Sequence, residues 1–324
     1  MATITASFGL VDLSATRDAH ELRQKHLDVT PLDRKVVVLV NGKGGVGKSS
    51  TSAALAYDLA AIGNRVLLIE MDEQGNNCED LGITGTAMDD RGAAQVSAIL
   101  DGVPLVPTGE ARPNLFVVPG GIELEHIVEE LYVQRRFASY MDDEVDKNTW
   151  MCMYAAAINA VRDEYDVIIL DVAPGSEVLQ LQALVAGDMV MIPSKSDPSS
   201  RKGLRVVARR FGQALAQNPR IRLLGVLLFA TNTSATLVQK QIKQNLEADL
   251  GGAAPVFKQA IRHVEAAAVA CRSNGRVPQE MHELKGKVEP SVMKSIASLA
   301  SDYRALGMEF LQAWTALNKE EDAA

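Results

Sequence analysis

The chain switches repeatedly between two hydrophobic periods. Lys35-Val36-Val37-Val38-Leu39-Val40 is a continuous apolar run after its first residue, the pattern of a strand buried on both faces. A glycine-rich turn follows, and Ser49 to Ile62 then sets Ala and Leu at helical spacing, with Gly63-Asn64 as its stop. Arg65-Val66-Leu67-Leu68-Ile69-Glu70 is a second buried strand, so the three segments predict a βαβ unit.

The alternation continues. Val96 to Leu100 reads as helix, Leu115 to Val118 as a strand ending at Pro119-Gly120-Gly121, and Trp150 to Arg162 as an amphipathic helix. Then come strand Asp166–Asp171, helix Val178–Ala186, strand Met189–Ile192 and a basic helix over about residues 201–216. Strand Arg222–Phe229, helix Thr236–Leu250, a short last strand beginning at Val256-Phe257 and a closing helix Ser291–Leu317 complete the chain. Strand-then-helix order throughout predicts an α/β fold, a doubly wound, mostly parallel sheet with helices on both faces. No repeat or linker divides it. The expected organisation is an arm over residues 1–34, with a short helix at Ala15–Leu27, one domain over 35–318, and an acidic tail over 319–324.

Composition narrows the class. With 324 residues and 47% hydrophobic content the chain can bury a large core, and 5% aromatics makes that core aliphatic. Cys78, Cys152 and Cys271 are far apart and form no CxxC pair, against a disulfide framework or zinc site and in keeping with a reducing cytoplasm. Met1 to Leu13 lacks a basic segment followed by an apolar run, and no apolar stretch reaches the roughly 18 residues of a membrane span. A cytoplasmic protein is expected. The net charge of −8 hides an asymmetry: residues 195–294 hold 17 Lys and Arg against 7 Asp and Glu, and the rest holds 16 against 34. A basic C-terminal third on an acidic body suggests a surface that meets phosphates.

The chemistry centres on the turn after the first strand. Gly42-Lys43-Gly44-Gly45-Val46-Gly47-Lys48-Ser49 satisfies GxxxxGK[ST] between a strand and a helix, as a phosphate-binding P-loop requires. Glycines let successive N–H groups turn inward toward phosphate oxygens, and the helix N-terminus adds its dipole. Lys48 brings a point charge to the β- and γ-phosphates, and the Ser49 hydroxyl is placed for Mg²⁺. Ser50 completes the loop-to-helix segment expected to hold ATP. Asp171 ends an apolar strand, where a magnesium-side carboxylate belongs, and Asp72 and Glu73 end another strand on the same sheet edge. A carboxylate there can orient the attacking water. Lys43 is a second lysine that a plain P-loop does not need.

These residues resemble the ParA/MinD family of P-loop ATPases over roughly residues 35–312. Lys43 within the box matches the family's deviant Walker A motif. Asp72-Glu73-Gln74-Gly75-Asn76 is similar to its switch I, Asp171-Val172-Ala173-Pro174-Gly175 to its Walker B and switch II, and Asn218-Pro219-Arg220-Ile221-Arg222-Leu223-Leu224-Gly225 to a stretch common in ParA proteins. The resemblance implies that Lys48 contacts the β- and γ-phosphates, Ser49 and Asp171 serve Mg²⁺, and Asp72 positions the hydrolytic water. It implies that Lys43 reaches across an ATP-dependent homodimer to the other subunit's phosphates. It also implies DNA binding without sequence preference and a ParB-like activator. Three positions depart from the family: Glu70 stands where Asp is usual, Glu73 replaces proline, and Ala173-Pro174-Gly175 is nearer to MinD usage.

Within that family the chain end Asn318-Lys319-Glu320-Glu321-Asp322-Ala323-Ala324 is acidic, which disfavours a membrane-binding helix. DNA contact is favoured by Arg201, Arg205 and Arg209, spaced to share one helix face, with Lys202 and Arg210 beside them. Arg220 and Arg222 precede a strand, Lys240 and Lys243 share a face of the next helix, and Lys258, Arg262, Arg272 and Arg276 follow. Few aromatics accompany them, which favours phosphate contact over base reading. The expectation is a nucleoid-associated partition ATPase. The alternative is a MinD-like or cargo-positioning ATPase acting on a membrane or protein assembly.

Overall fold

Val36–Leu39 (β1) is wholly buried, and its side chains divide by parity between two cores. The computed structural model describes residues 34–141, 144–195, 197–231, 244 and 255–322. The expected N-terminal arm and the helix over 236–250 therefore fall outside the described residues, apart from Arg34 and Gln244.

Lys48–Ala61 (α1) leads to Val66–Met71 (β2), followed by Asn76–Asp80 (α2) and Ala93–Leu100 (α3). Gly109–Arg112 (β3) and Leu115–Val118 (β4) form an antiparallel pair. Leu124–Ala138 (α4), Glu144–Thr149 (α5) and Met153–Val161 (α6) precede Val167–Val172 (β5). Glu177–Ala186 (α7), Met189–Ser194 (β6), Pro198–Leu215 (α8) and Arg222–Thr231 (β7) follow. Val256–Arg262 (β8), Glu265–Ser273 (α9) and the long helix Pro290–Asp322 (α10) end the described chain.

The eight strands lie in the order β3-β4-β2-β5-β1-β6-β7-β8, all parallel except the β3–β4 pair. Val36, Val38 and Val40 face α3, α4, α6, α7 and α8, while Val37 and Leu39 face α1, α9 and α10. This is the expected doubly wound sheet. Strand order reverses at β1, which has β5 on one side and β6 on the other. Loops after β1 and β5 therefore diverge and leave a crevice at the carboxyl ends of the strands.

β3 and the helices α2, α4, α5 and α9 escaped the sequence pattern. β3 is Gly-Glu-Ala-Arg, with no buried residue; it is a strand because β4 offers it an edge. α4 buries Leu124, Ile127, Leu131, Gln134 and Ala138 at helical spacing. The period is blurred because Gln134 sits on the inner face while Tyr132, Val133 and Phe137 are exposed on the outer one. α10 also runs without a break past Leu317 to Asp322.

Opposite the crevice, Asp188 ties the strand starts together. Its Oδ2 accepts from the Lys35 and Val36 amides at 2.8 Å each and from Arg162 at 2.6 Å. At the far edge, Glu309 accepts from the Lys258 and Gln259 amides, and Asp302 accepts from the Arg262 amide and guanidinium. α10 thus satisfies the donors of an edge strand that would otherwise invite pairing.

Candidate functional site

The P-loop spans the turn from β1 to α1. Gly45 and Gly47 take φ of 67° and 86°, the left-handed region that glycine enters freely. Gly47 also has no room for a side chain, since a Cβ there would lie 2.2 Å from the Phe229 ring. Gly47→Ala carries about 1–2 kcal/mol of backbone strain and displaces that ring. It is expected to weaken nucleotide binding roughly tenfold or more, measured with a fluorescent ATP analogue; parent affinity would show that the loop's curl is not what holds the phosphates.

Around the loop the sheet supplies charge. Lys48 is buried, and burial lowers its pKa while the Asp171 and Asp72 carboxylates oppose the shift. A lysine held beside two carboxylates in a buried pocket is arranged to meet an anion. Asp72 follows β2 and accepts from the Gln74 amide at 3.1 Å. Burial raises its pKa; that amide and Lys48 pull it back. Asp171, one strand over in β5, is fully buried and is pushed up to about 6, by burial first and by Asp72 also, against the Ser49 hydroxyl, Lys48 and Asn77. Its Oδ2 accepts from the Asn77 side-chain amide at 2.7 Å, whereas its buried Oδ1 accepts no fully formed hydrogen bond among the described residues. Glu70, paired in register with Asp171, is pushed up to about 8 by burial and by the Asp171 charge.

This donor set fits a magnesium–nucleotide pair. An under-bonded, buried carboxylate oxygen beside a P-loop serine is what a hard cation with oxygen ligands takes up. Among the described residues no cluster of three or more His, Cys, Asp or Glu is arranged to hold a metal by itself. An ion here would draw the rest of its shell from phosphates and water, as Mg²⁺ does. The cavity above the loop is about 850 Å³ and is lined by the P-loop, Asp72, Ala173–Ser176, Phe229 and the 261–265 segment after β8.

The structure brings Gly44, Gly45, Gly47, Lys48, Ser49, Ser50 and Asp72 to the cavity wall. Asp171 stands in the neighbouring strand, Val46 is buried, and Gly42 packs on Val206 of α8. Lys43 points elsewhere: its Nζ donates to both Asp197 oxygens at 2.9 and 3.0 Å.

Lys202, Arg205 and Arg209 are exposed along the outer face of α8. Arg222 is exposed and Arg220 half-buried at the start of β7, the sheet end away from the P-loop. Lys240 and Lys243 lie outside the described residues, as does the side chain of Arg201. Several flanking cations are paired within the chain. Arg210 is buried and donates to Gln180, Arg262 forks onto Asp302, and Arg272 forks onto Asp80. Arg276 lies 3.8 Å from Glu280. Helical spacing alone could not separate Arg210, Arg262 and Arg272 from exposed charges, because their partners Gln180, Asp302 and Asp80 come from other segments.

Two polar residues went unnoticed in the sequence. Gln180 donates to the Ala173 and Pro174 carbonyls at 2.8 and 2.9 Å and so holds the loop after β5. Its signal is a polar side chain which, with Gln182, interrupts the apolar helix Val178–Ala186. Asn77 left no signal beyond following Asn76.

The AAA domain family matches residues 34–223. The chain is 31% identical over 217 residues to the chromosome-partitioning ATPase Soj of Thermus thermophilus, covering 66% of this chain and 76% of that one. Among solved structures, apo McdA from Cyanothece aligns with a TM-score of 0.60 at 19% identity, covering 83% of this chain and 98% of McdA. Cobyrinic acid a,c-diamide synthase from Mycobacterium smegmatis, with bound ADP and magnesium, aligns at 0.57 and 23% identity, covering 79% and 97%. Both likenesses concern the fold.

Proposed function

Because the chain belongs to the ParA/MinD family of P-loop ATPases, we propose that it is a partition ATPase that dimerises on ATP, binds DNA without sequence preference and answers to a ParB-like activator. Residues 35–318 form its ATPase unit, flanked by the 1–34 arm and the acidic 319–324 end, and it works on the nucleoid. The observation that carries this reading is the two-sided role of α8. Its inner face touches the phosphate loop, with Gly203 against Asn41 and Lys43 and Val206 against Gly42. Its outer face carries exposed Lys202, Arg205 and Arg209. A change in the loop on nucleotide binding is thereby felt by the helix that presents the basic stripe.

At the site, P-loop amides and Lys48 bind the phosphates of ATP and orient the γ-phosphate. Ser49 and Asp171 hold Mg²⁺, which when bound neutralises the charge that develops on the phosphate oxygens. Asp72 accepts a proton or hydrogen bond from the attacking water and sets its line of approach. Lys43 leaves Asp197 and extends to the nucleotide of the second subunit.

The test is binding to a random-sequence duplex with and without ATP–Mg²⁺ over a salt series, beside anionic liposomes. Salt-sensitive DNA binding that requires ATP is the expected result. The double variant Arg205→Glu/Arg209→Glu is expected to bind DNA at least about tenfold more weakly, with a log–log salt slope shallower by about 2. Its ATP affinity should stay that of the parent. Unchanged DNA binding by this variant would remove α8 from the interface. Liposome binding without DNA binding would establish the membrane-acting alternative, although no helix among the described residues is long and apolar enough to cross a membrane.

A further inference from the structure

Asn77 lies one residue beyond the Asp72–Asn76 stretch, at the start of α2, and is completely buried. Three of its four polar groups reach three different elements. The backbone N–H donates to Glu70 Oε1 in β2 at 2.8 Å. The side-chain Nδ2 donates to Asp171 Oδ2 in β5 at 2.7 Å. Its Oδ1 lies 3.4 Å from Ser52 Oγ in α1, a hydroxyl whose single proton goes to the Ser49 carbonyl at 2.8 Å.

We propose that Asn77 is a positioning residue for the magnesium side of the site: its amide occupies one oxygen of Asp171 so that the other is presented toward Ser49, and it clips the Asp72 loop to that carboxylate. The inference rests on the reading of Ser49 and Asp171 as the magnesium side. The terminal torsion of an aspartate is broad and nearly two-fold, so a buried carboxylate without a fixed donor has no preferred oxygen to offer. With Nδ2 on Oδ2, only Oδ1 remains, and that is the atom left without a full hydrogen bond.

Asn77 is itself held from behind. Glu70 is fully buried, and its carboxylate engages the Asn77 amide and the Cys78 thiol, the latter at 3.6 Å. Gly120 packs against it so closely that a Cβ there would sit 2.7 Å from Glu70 Cγ. The extra methylene of Glu over the Asp usual in the family gives the side chain its reach along α2. Asn77 thus joins the loop bearing the water-orienting carboxylate to the strand bearing the magnesium carboxylate, so a shift in one moves the other. Partners that orient metal ligands typically contribute 10–100-fold in metal affinity.

The experiment measures a fluorescent ATP analogue binding to the full chain and to Asn77→Ala, in EDTA and over a Mg²⁺ titration. Parent-like binding in EDTA is expected, with the Mg²⁺ concentration for the half-maximal change raised at least about tenfold. A merely structural role would weaken both alike. An unchanged Mg²⁺ midpoint, or an equal loss in EDTA, overturns the proposal. If Asn77→Ala does not fold by circular dichroism, Asn77→Ser is read in its place against the same two outcomes. A parent chain whose nucleotide binding ignores Mg²⁺ would instead overturn the underlying reading of Ser49 and Asp171.

Discussion

Asp72→Ala is expected to leave ATP bound and to slow hydrolysis at least about a hundredfold, the lower range for loss of a positioned general base. The geometry separates the two effects. On the proposed reading the P-loop amides and Lys48 hold the phosphates, and Asp72 orients the water. Asp72 is buried at the end of β2, and its Oδ1 takes the Gln74 amide, so one oxygen stays available to a water in the cavity. Burial raises its pKa, and the Gln74 amide and Lys48 counter that. Those contacts favour the charged form that a water-orienting base needs. Removing the carboxylate also removes a negative charge from the γ-phosphate's surroundings, so ATP affinity should be equal to the parent's or tighter. Single-turnover phosphate release measures the first effect and equilibrium nucleotide binding the second. Normal turnover in the variant would mean that another group sets the water.

Lys43→Gln is expected to leave ATP binding to the monomer within about threefold and to raise the dissociation constant of the ATP-dependent dimer by about a hundredfold or more. The magnitude rests on which contact Lys43 prefers. Its bridge to Asp197 is 32% and 39% exposed on its two sides. An exposed pair of this kind is worth about 0–1 kcal/mol. A triphosphate closed between two subunits offers several charges out of water, where a lysine contact is much stronger. Releasing Asp197 therefore costs little against what the partner's nucleotide returns. Gln keeps a polar end, one bond shorter, and loses the charge. Light scattering with ATP and with ADP reads the outcome; an unchanged ATP-dependent dimer would leave Lys43 as a rim residue of its own subunit.

The strands that build the centre were plain in the sequence because each is buried on both faces and needs no partner's pattern to be recognised. β1 is a continuous apolar run, and β2 and β5 are apolar runs broken only by Glu70 and Asp171 near their carboxyl ends. The phosphate loop was plain too, since its glycines and its lysine–serine pair are required locally by backbone conformation and charge. β3 was hidden because only pairing with β4 makes it a strand. β8 begins at Val256 as expected, and it runs to Arg262 because Asp302 and Glu309 of α10 satisfy its outward donors.

The sequence by itself determined the alternation of strand and helix, the position of the phosphate loop and the carboxylates that end β2 and β5. Each of these follows from a local rule of period, turn or strand end. Tertiary structure alone decided that Lys43 rests on Asp197, that Arg210, Arg262 and Arg272 are held by partners while Lys202, Arg205 and Arg209 face outward, and that Asn77 joins Asp171 to Glu70. These depend on contacts between segments as many as 192 residues apart. The order of strands in the sheet, which no local period encodes, is what brings such segments together.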